Sequence, residues 1–435
     1  MSGKEQALQQ VRQMLDFIDN SPCCYQAVEN AEAELERAGY IRLEEWEYWR
    51  LEGGGKYYVD RNGSSLIAFA LPEKDMRGFH MIAAHSDSPA FKIKEMPEIR
   101  VENRYVKLNV EKYGGMILSS WLDRPLSAAG RIVTTGSTGP VAKRVNLDRD
   151  LFIIPNLAIH MNPEMNKGTE YNVQTDMLPL FGGGDGGKSL TELAAEAAGV
   201  DAGAVLGSDL FLYNREKGRI IGADEEFICS SRLDDLECVY CSLRAMLAAK
   251  PGFYANFMIV FDNEEVGSLT RQGAASSFLQ DTLLRICEAL GLFGQDYGRL
   301  LAESFMLSAD NAHGVHPNHP EKADPTNRPY LNGGVVIKYH GSQKYTTDGI
   351  SGAVMKEICR RAGVPYQTYA NRSDMAGGST LGNISAARVP VRTADIGLAQ
   401  LAMHSAYETA GARDVEYMIK AMSCFYGQGG CQTKA

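Results

Sequence analysis

The stretch Phe257-Met258-Ile259-Val260-Phe261-Asp262-Asn263-Glu264-Glu265 decides the reading of this chain. Its apolar run predicts a buried strand that ends at Asp262. The chain then places two glutamates side by side. Like charges at the end of a buried strand are costly unless something positive binds them, and metal ions are the usual compensation. The other ligands such a site needs are present along the chain: His85 with Asp87, Asp234, Asp310 and His404. The set points to a two-metal hydrolase.

Working outward, residues 5–17 and a segment opened by Ser21-Pro22 and closed before Gly39 predict two helices, with serine as N-cap and proline at the first helical position. Residues 65–71 and 78–84 are apolar runs of strand length. From about Val101 the character changes. Residues 104–110 alternate with period two, as a half-exposed antiparallel strand should. Short strand-like runs follow at 131–134 and 151–154, and the polar, glycine-rich stretch 162–188 predicts a loop. From Asp234 onward helices alternate with strands, at 256–261, 304–308, 334–339 and 389–394. That alternation predicts an α/β fold, a central mixed β-sheet flanked by helices. The simplest account is a discontinuous domain of residues 1–95 and 230–435, interrupted by a β-rich insert, 96–229.

A chain of 435 residues with a net charge of -10 has room for two domains and lacks a basic surface for nucleic acid. No run approaches a membrane span, and the first residues, Met1-Ser2-Gly3-Lys4, lack the apolar core of a signal peptide, so a cytoplasmic location is expected. The nine cysteines are scattered and odd in number, which argues against a disulfide framework. Cys238 and Cys241 form a lone C-x-x-C within a predicted helix, 235–249, and read as packing residues rather than a thiol metal site.

Each candidate ligand alone has an ordinary explanation. His85-Ser86-Asp87 could be a polar strand end, Asp234-Asp235 a helix cap favoured by the dipole, Asp310 the start of a turn, and His404 a core histidine. The case is collective. Several of them fall at the carboxyl ends of predicted strands, the edge where sites form in open α/β sheets. Histidines and carboxylates suit two zinc ions or similar divalent metals. One carboxylate must stay unligated to carry the proton of an activated water, and adjacent glutamates supply both a ligand and a base.

At these residues the chain closely resembles the aspartyl aminopeptidase family of dinuclear metallo-aminopeptidases. The matching motifs are AAHSDSPAFKIK (83–94), NLAIHMN (156–162), SSRLDDL (230–236), FDNEEVGS (261–268), SADNAHGVHPNH (308–319), VVIKY (335–339), NRSDMAGGSTLG (371–382) and QLAMHS (400–405), in the family's order. The resemblance implies a metallopeptidase domain carrying an inserted oligomerisation domain. It implies that His85 and Asp310 hold one metal, Glu265 and His404 the other, and that Asp234 bridges them. Glu264 would be the general base and acid, and Asp87 would orient His85. His160 would reach a neighbouring subunit's site, and Lys338 and Tyr345 would meet the acidic side chain of the substrate. It further implies two divalent ions per subunit, zinc with manganese or cobalt as substitutes, peptides with N-terminal Asp or Glu as substrates, and a large homo-oligomer built from dimers, with no nucleic acid and no membrane involved.

An aminopeptidase of broader or different specificity is the near alternative, and two rivals of other classes stand beside this reading. Gly182 to Ser189 matches the phosphate-binding pattern G-x-x-x-x-G-K-S, which would make the chain an ATPase. A P-loop must join a buried strand to a helix, and the residues before this run include Pro179, which disfavours a central strand. The second rival is a non-catalytic scaffold that kept the fold; such a relative would be expected to lose a ligand or the base, and every position is filled.

Overall fold

Strand Tyr254–Phe261 is buried along its whole length. It lies parallel to Gly78–His85 and antiparallel to Ser65–Ala70. The computed structural model describes residues 3–184, 187–250 and 252–427. Met1 and Ser2, Asp185 and Gly186 of the glycine-rich run, and Cys431 lie outside the described residues.

Among the described residues the strands form three sheets. The central one has nine, in spatial order Ile41–Arg42, Lys56–Arg61, Ser65–Ala70, Tyr254–Phe261, Gly78–His85, Phe305–Ala309, Arg392–Gly397, Val335–Lys338 and Tyr366–Tyr369. Tyr254–Phe261, Gly78–His85, Phe305–Ala309 and Arg392–Gly397 are mutually parallel neighbours, flanked by antiparallel pairs to Ser65–Ala70 and Val335–Lys338, while the outermost strand at each edge pairs parallel with its neighbour. Both faces are apolar because both are covered. Side chains alternate across a strand. Leu66, Ala68, Ile82, Met258 and Val260 therefore meet helices Gly3–Asp19, Leu233–Ala248 and Asp414–Tyr426 on one side. Ile67, Phe69, Met81, Phe257 and Ile259 meet helix Phe278–Ala289 on the other. Cys238 and Cys241 sit fully buried in the first of these cores, as packing residues do.

The second sheet is antiparallel throughout, ordered Gly139–Asn146, Leu126–Gly136, Val205–Asn214, Ala90–Val101, Tyr105–Tyr113 and Leu180–Gly183. Its apolar face packs on helix Leu190–Ala198. A third sheet of five short strands pairs Phe227–Ser230 with Glu408–Gly411 and Ala399–Leu401 with Ala312–His313. No helix among the described residues is long and apolar enough to cross a membrane.

Local expectations are corrected at four places. The second helix starts at Cys24, two residues late, because Cys23 at its N-cap is extended (φ −153°) and Ser21 instead accepts a hydrogen bond from Asn30. Residues 151–154 make only isolated bridges, to Leu126 and Leu180, rather than a strand. Stretch 162–188 is less irregular than its glycines suggest, holding helix Val173–Asp176 and edge strand Leu180–Gly183. The strand expected at 389–394 runs from Arg392 to Gly397.

The second of these elements also disposes of the ATPase rival. A strand and a helix do flank the glycine-rich run, but the strand is at a sheet edge. The helix's first amides are already bonded, Leu190 N–H to Glu98 and Glu192 N–H to Ser189. The supposed magnesium-binding acidic strand, Tyr254–Phe261, belongs to a different sheet.

One core residue leaves a pH signature. His80 is fully buried, stacks on Tyr254 at 4.2 Å, and among the described residues makes no hydrogen bond through either ring nitrogen. Burial pushes its pKa down to about 3. The unfolded chain therefore takes up a proton near pH 6.5 that the folded chain refuses, and stability falls as pH drops from there toward 3. His80→Phe should remove up to ~3 kcal/mol of the stability lost between pH 6.5 and 4, measured as the difference between the two proteins' denaturant curves at each pH.

Candidate metal centre

Three of the parallel strands end side by side, and each delivers a candidate ligand. His85 closes Gly78–His85, Glu264 and Glu265 follow Tyr254–Phe261, and Asp310 follows Phe305–Ala309. Asp234 comes from the start of helix Leu233–Ala248, where its φ and ψ (−81°, 108°) are not yet helical. His404 comes from the loop after Ala399–Leu401, at a positive φ of 67°.

These side chains converge. Ligand atoms of His85, Asp234, Asp235 and Asp310 lie within 4.8 Å of one another, and so do those of Asp234, Glu265 and His404, and of His85, Glu264 and Glu265. Asp234 divides its two oxygens: Oδ1 is 3.5 Å from His85 Nε2, and Oδ2 is 3.4 Å from His404 Nε2. His404 Nε2 is also 3.4 Å from Glu265 Oε1. One carboxylate thus stands between two histidines, each with a further acid beside it.

The candidate ligands are held from behind. His85 Nδ1 hydrogen-bonds the Asp87 carbonyl at 3.0 Å, which turns Nε2 toward Asp234. The Asp87 carboxylate accepts the backbone N–H of both Glu264 and Glu265, each at 3.1 Å, and the Tyr113 hydroxyl at 2.7 Å. It therefore caps the tight turn that projects both glutamates. Glu408 does the same on the other side, accepting the N–H of Asp234 at 3.1 Å and of His404 at 2.7 Å. His404 Nδ1 donates to the carbonyl of Gly115, between the strands of the second sheet. Lys338, 1% exposed, donates to the carbonyls of Asp310 and Asn311 at 2.7 and 3.3 Å and faces Asp310 Oδ2 at 3.4 Å.

The electrostatics show what the cluster requires. Burial, reinforced by neighbouring acids, raises the carboxyls of Glu264 to about 8, of Glu408 to about 8, and of Asp235 and Glu265 well above the usual range. Burial acts on Asp234 in the same direction, but the imidazoles of His404 and His85 facing its two oxygens outweigh it and hold its pKa down. Burial would lower both imidazoles, yet Asp234 keeps His404 at about 9 and, with Asp87, keeps His85 well above 6.5. The site calls for positive charge. Asp234 Oδ1, Asp235 Oδ1 and Glu265 Oε1 are buried without any hydrogen bond among the described residues. Unbonded buried oxygens beside inward-facing imidazole nitrogens fit divalent cations, and the nitrogen and oxygen donor set fits zinc.

Every ligand candidate from the sequence is in this cluster, with Asp87 behind it. His160 is not: it is exposed in a turn, outside the groups gathered around Asp234. Lys338 and Tyr345 lie together at the Asp310 side, with Lys338 Nζ 5.2 Å from the Tyr345 ring. Asp235 and Glu408 were not singled out from the sequence. Asp235 hides behind its neighbour in a pair that reads as a helix cap. Glu408, four residues after His404, carries no pattern of its own.

The chain matches known proteins along nearly all its length. The model of the aminopeptidase I zinc metalloprotease family (M18) matches residues 17–426. A probable M18 family aminopeptidase 2 of Clostridium acetobutylicum is 46% identical over 427 residues, 96% of this chain and 99% of that one. One from Pseudomonas aeruginosa is 38% identical, covering 95% and 97%. Among solved structures, Ape4 in its complex with Nbr1 superposes with a TM-score of 0.94 at 35% identity, over 97% of this chain and 86% of that one. The S. cerevisiae mApe1 dodecamer gives 0.84 at 27% identity, over 95% of each chain. The mixed α/β fold is the fold of these proteins, and the chain belongs to the M18 family, the zinc aminopeptidases, metallo-hydrolases that act on peptide bonds.

Proposed function

We propose that this M18 zinc aminopeptidase uses two divalent ions to remove N-terminal Asp and Glu from peptides. The observation that carries the two-ion reading is Asp234, whose two oxygens face two histidines with separate carboxylate partners. His85 and Asp310 would hold one ion, His404 and Glu265 the other, and Asp234 would join them. Zinc suits the donors, and manganese or cobalt can replace it in carboxylate-rich sites. When bound, such ions polarise the scissile carbonyl and make water acidic enough to attack at neutral pH.

The chain's own groups do the rest. Glu264 is the general base. Its backbone is pinned by Asp87 and its carboxylate makes no hydrogen bond among the described residues. It is therefore suited to accept the water's proton and pass it to the leaving amine. The same acids that bind metal offer acceptors for the substrate's free α-ammonium, which is why a terminal amine is wanted rather than an internal peptide. Acidic preference is supported by Lys338, a buried charge whose pKa is raised despite burial by Asp310 and Tyr345, at one wall of the site.

Residues 96–229 would form the oligomerisation domain. Three exposed apolar side chains flank His160, namely Leu157, Ile159 and Met161, a surface suited to a second copy. On that reading His160 supports the oxyanion in a partner's site, within a large homo-oligomer built from dimers. The eight described cysteines are free, in keeping with a cytoplasmic protein.

The test is a panel of aminoacyl chromogenic substrates, with chelator and with added zinc, manganese or cobalt. Metal-dependent cleavage centred on Asp and Glu is expected; metal-dependent cleavage that ignores acidic residues would remove the specificity while leaving the chemistry. Glu264→Gln should cut kcat by about 10²- to 10⁴-fold with unchanged metal content, and hydrolysis at the parent rate would point to another base.

A further inference from the structure

Asn311 and Gln400 are unusual residues to bury behind the cluster. They are 3% and 1% exposed, at depths where an apolar side chain would lose no hydration. Neither is an acid or a histidine, so neither entered the candidate ligand set.

What they offer is a continuous series of hydrogen bonds. Asn311 directly follows Asp310. Its Nδ2 lies 3.1 Å from the Leu233 carbonyl, 3.0 Å from Glu237 Oε2 and 3.0 Å from Gln400 Oε1. Its Oδ1 accepts the Leu398 N–H at 3.1 Å. Leu233 is the residue before Asp234, and Leu398 leads into strand Ala399–Leu401. Gln400, in the middle of that strand, extends the series: its Nε2 donates to Glu408 Oε1 at 3.4 Å. Glu408 closes it on the N–H groups of His404 and Asp234. One buried path thus runs from the residue beside Asp310 to the backbone of both Asp234 and His404.

The path has a direction. Asn311 donates to Gln400, Gln400 donates to Glu408, and the series ends on a carboxylate. Hydrogen bonds aligned in this way inside a protein reinforce one another, and a break leaves buried groups unpaired. Among the described residues the Gln400 side chain bonds only Asn311 and Glu408, so it serves the path and nothing else.

We infer that Asn311, Gln400 and Glu408 are positioning residues that couple the two halves of the metal centre. An ion held by His85 and Asp310 fixes Asn311, and the series then sets Asp234 and His404 for the second ion. The assignment rests on the two-ion reading proposed above. Coupling of this kind is reciprocal, so the second ion tightens the first by the same factor.

The experiment strips metal from the full-length protein and titrates zinc back against a competing chelator, for the parent, Gln400→Leu, Glu408→Gln and the double variant. Gln400→Leu should bind its first ion as the parent does and its second about 10- to 100-fold more weakly. Because Gln400 acts through Glu408, the double variant should be no worse than Glu408→Gln alone, whereas two independent packing defects would add. Thermal midpoints of the metal-free proteins separate these effects from loss of fold. If Gln400→Leu does not fold, Gln400→Asn, whose shorter stem cannot span both bonds, takes its place. Two ions bound at the parent's affinities, both ions weakened alike, or additive losses in the double variant would overturn the coupling role while leaving two ions in the parent. A parent that saturates at one ion would overturn the two-ion reading and this role with it.

Discussion

Several carboxylates buried within a few ångströms of one another form the constraint on which the rest of this structure depends. Asp234, Asp235, Glu264, Glu265 and Asp310 converge at one sheet edge, and their mutual repulsion adds to the loss of hydration. Packing cannot offset charges of one sign at that spacing. A fold that fixes the acids rigidly holds such a cluster in place, and bound cations would relieve its charge. The three parallel strands supply the rigidity, because strands buried on both faces have no freedom to splay.

A second tier of acids transmits that rigidity to the ligands. Asp87 and Glu408 are not spent on charge neutralisation. Each collects two backbone N–H groups, Asp87 at the Glu264-Glu265 turn and Glu408 at Asp234 and His404. The second sheet takes part as well. Tyr113 bonds Asp87, and the Gly115 carbonyl sets the ring of His404. A displacement of that sheet by a neighbouring copy would therefore be felt at both ends of the metal cluster, which ties the proposed assembly to the chemistry through named hydrogen bonds.

The strands and the acids and histidines that cluster at their ends were legible in the sequence because both leave local marks. An apolar run ending in paired glutamates, and a histidine followed two residues on by an aspartate, are visible without a structure. What it hid depends on contacts between distant segments. Glu408 looks like any acid after a loop until its carboxylate is seen beneath Asp234 and His404. Lys338 reads as a ready partner for a substrate acid, yet its protons turn inward to Asp310 and Asn311. Residues 151–154 have strand composition but find a neighbour only at single bridges. The glycine-rich stretch 162–188 reads as a loop, yet it holds helix Val173–Asp176 and edge strand Leu180–Gly183.

The central claim is that Asp234 joins two ions, and metal stoichiometry tests it most directly. Apo-protein titrated with zinc and measured for bound metal after desalting should saturate at two ions per chain, and Asp234→Asn should weaken both. Saturation of the parent at a single ion, or two ions retained undiminished when Asp234 is replaced, would contradict the account.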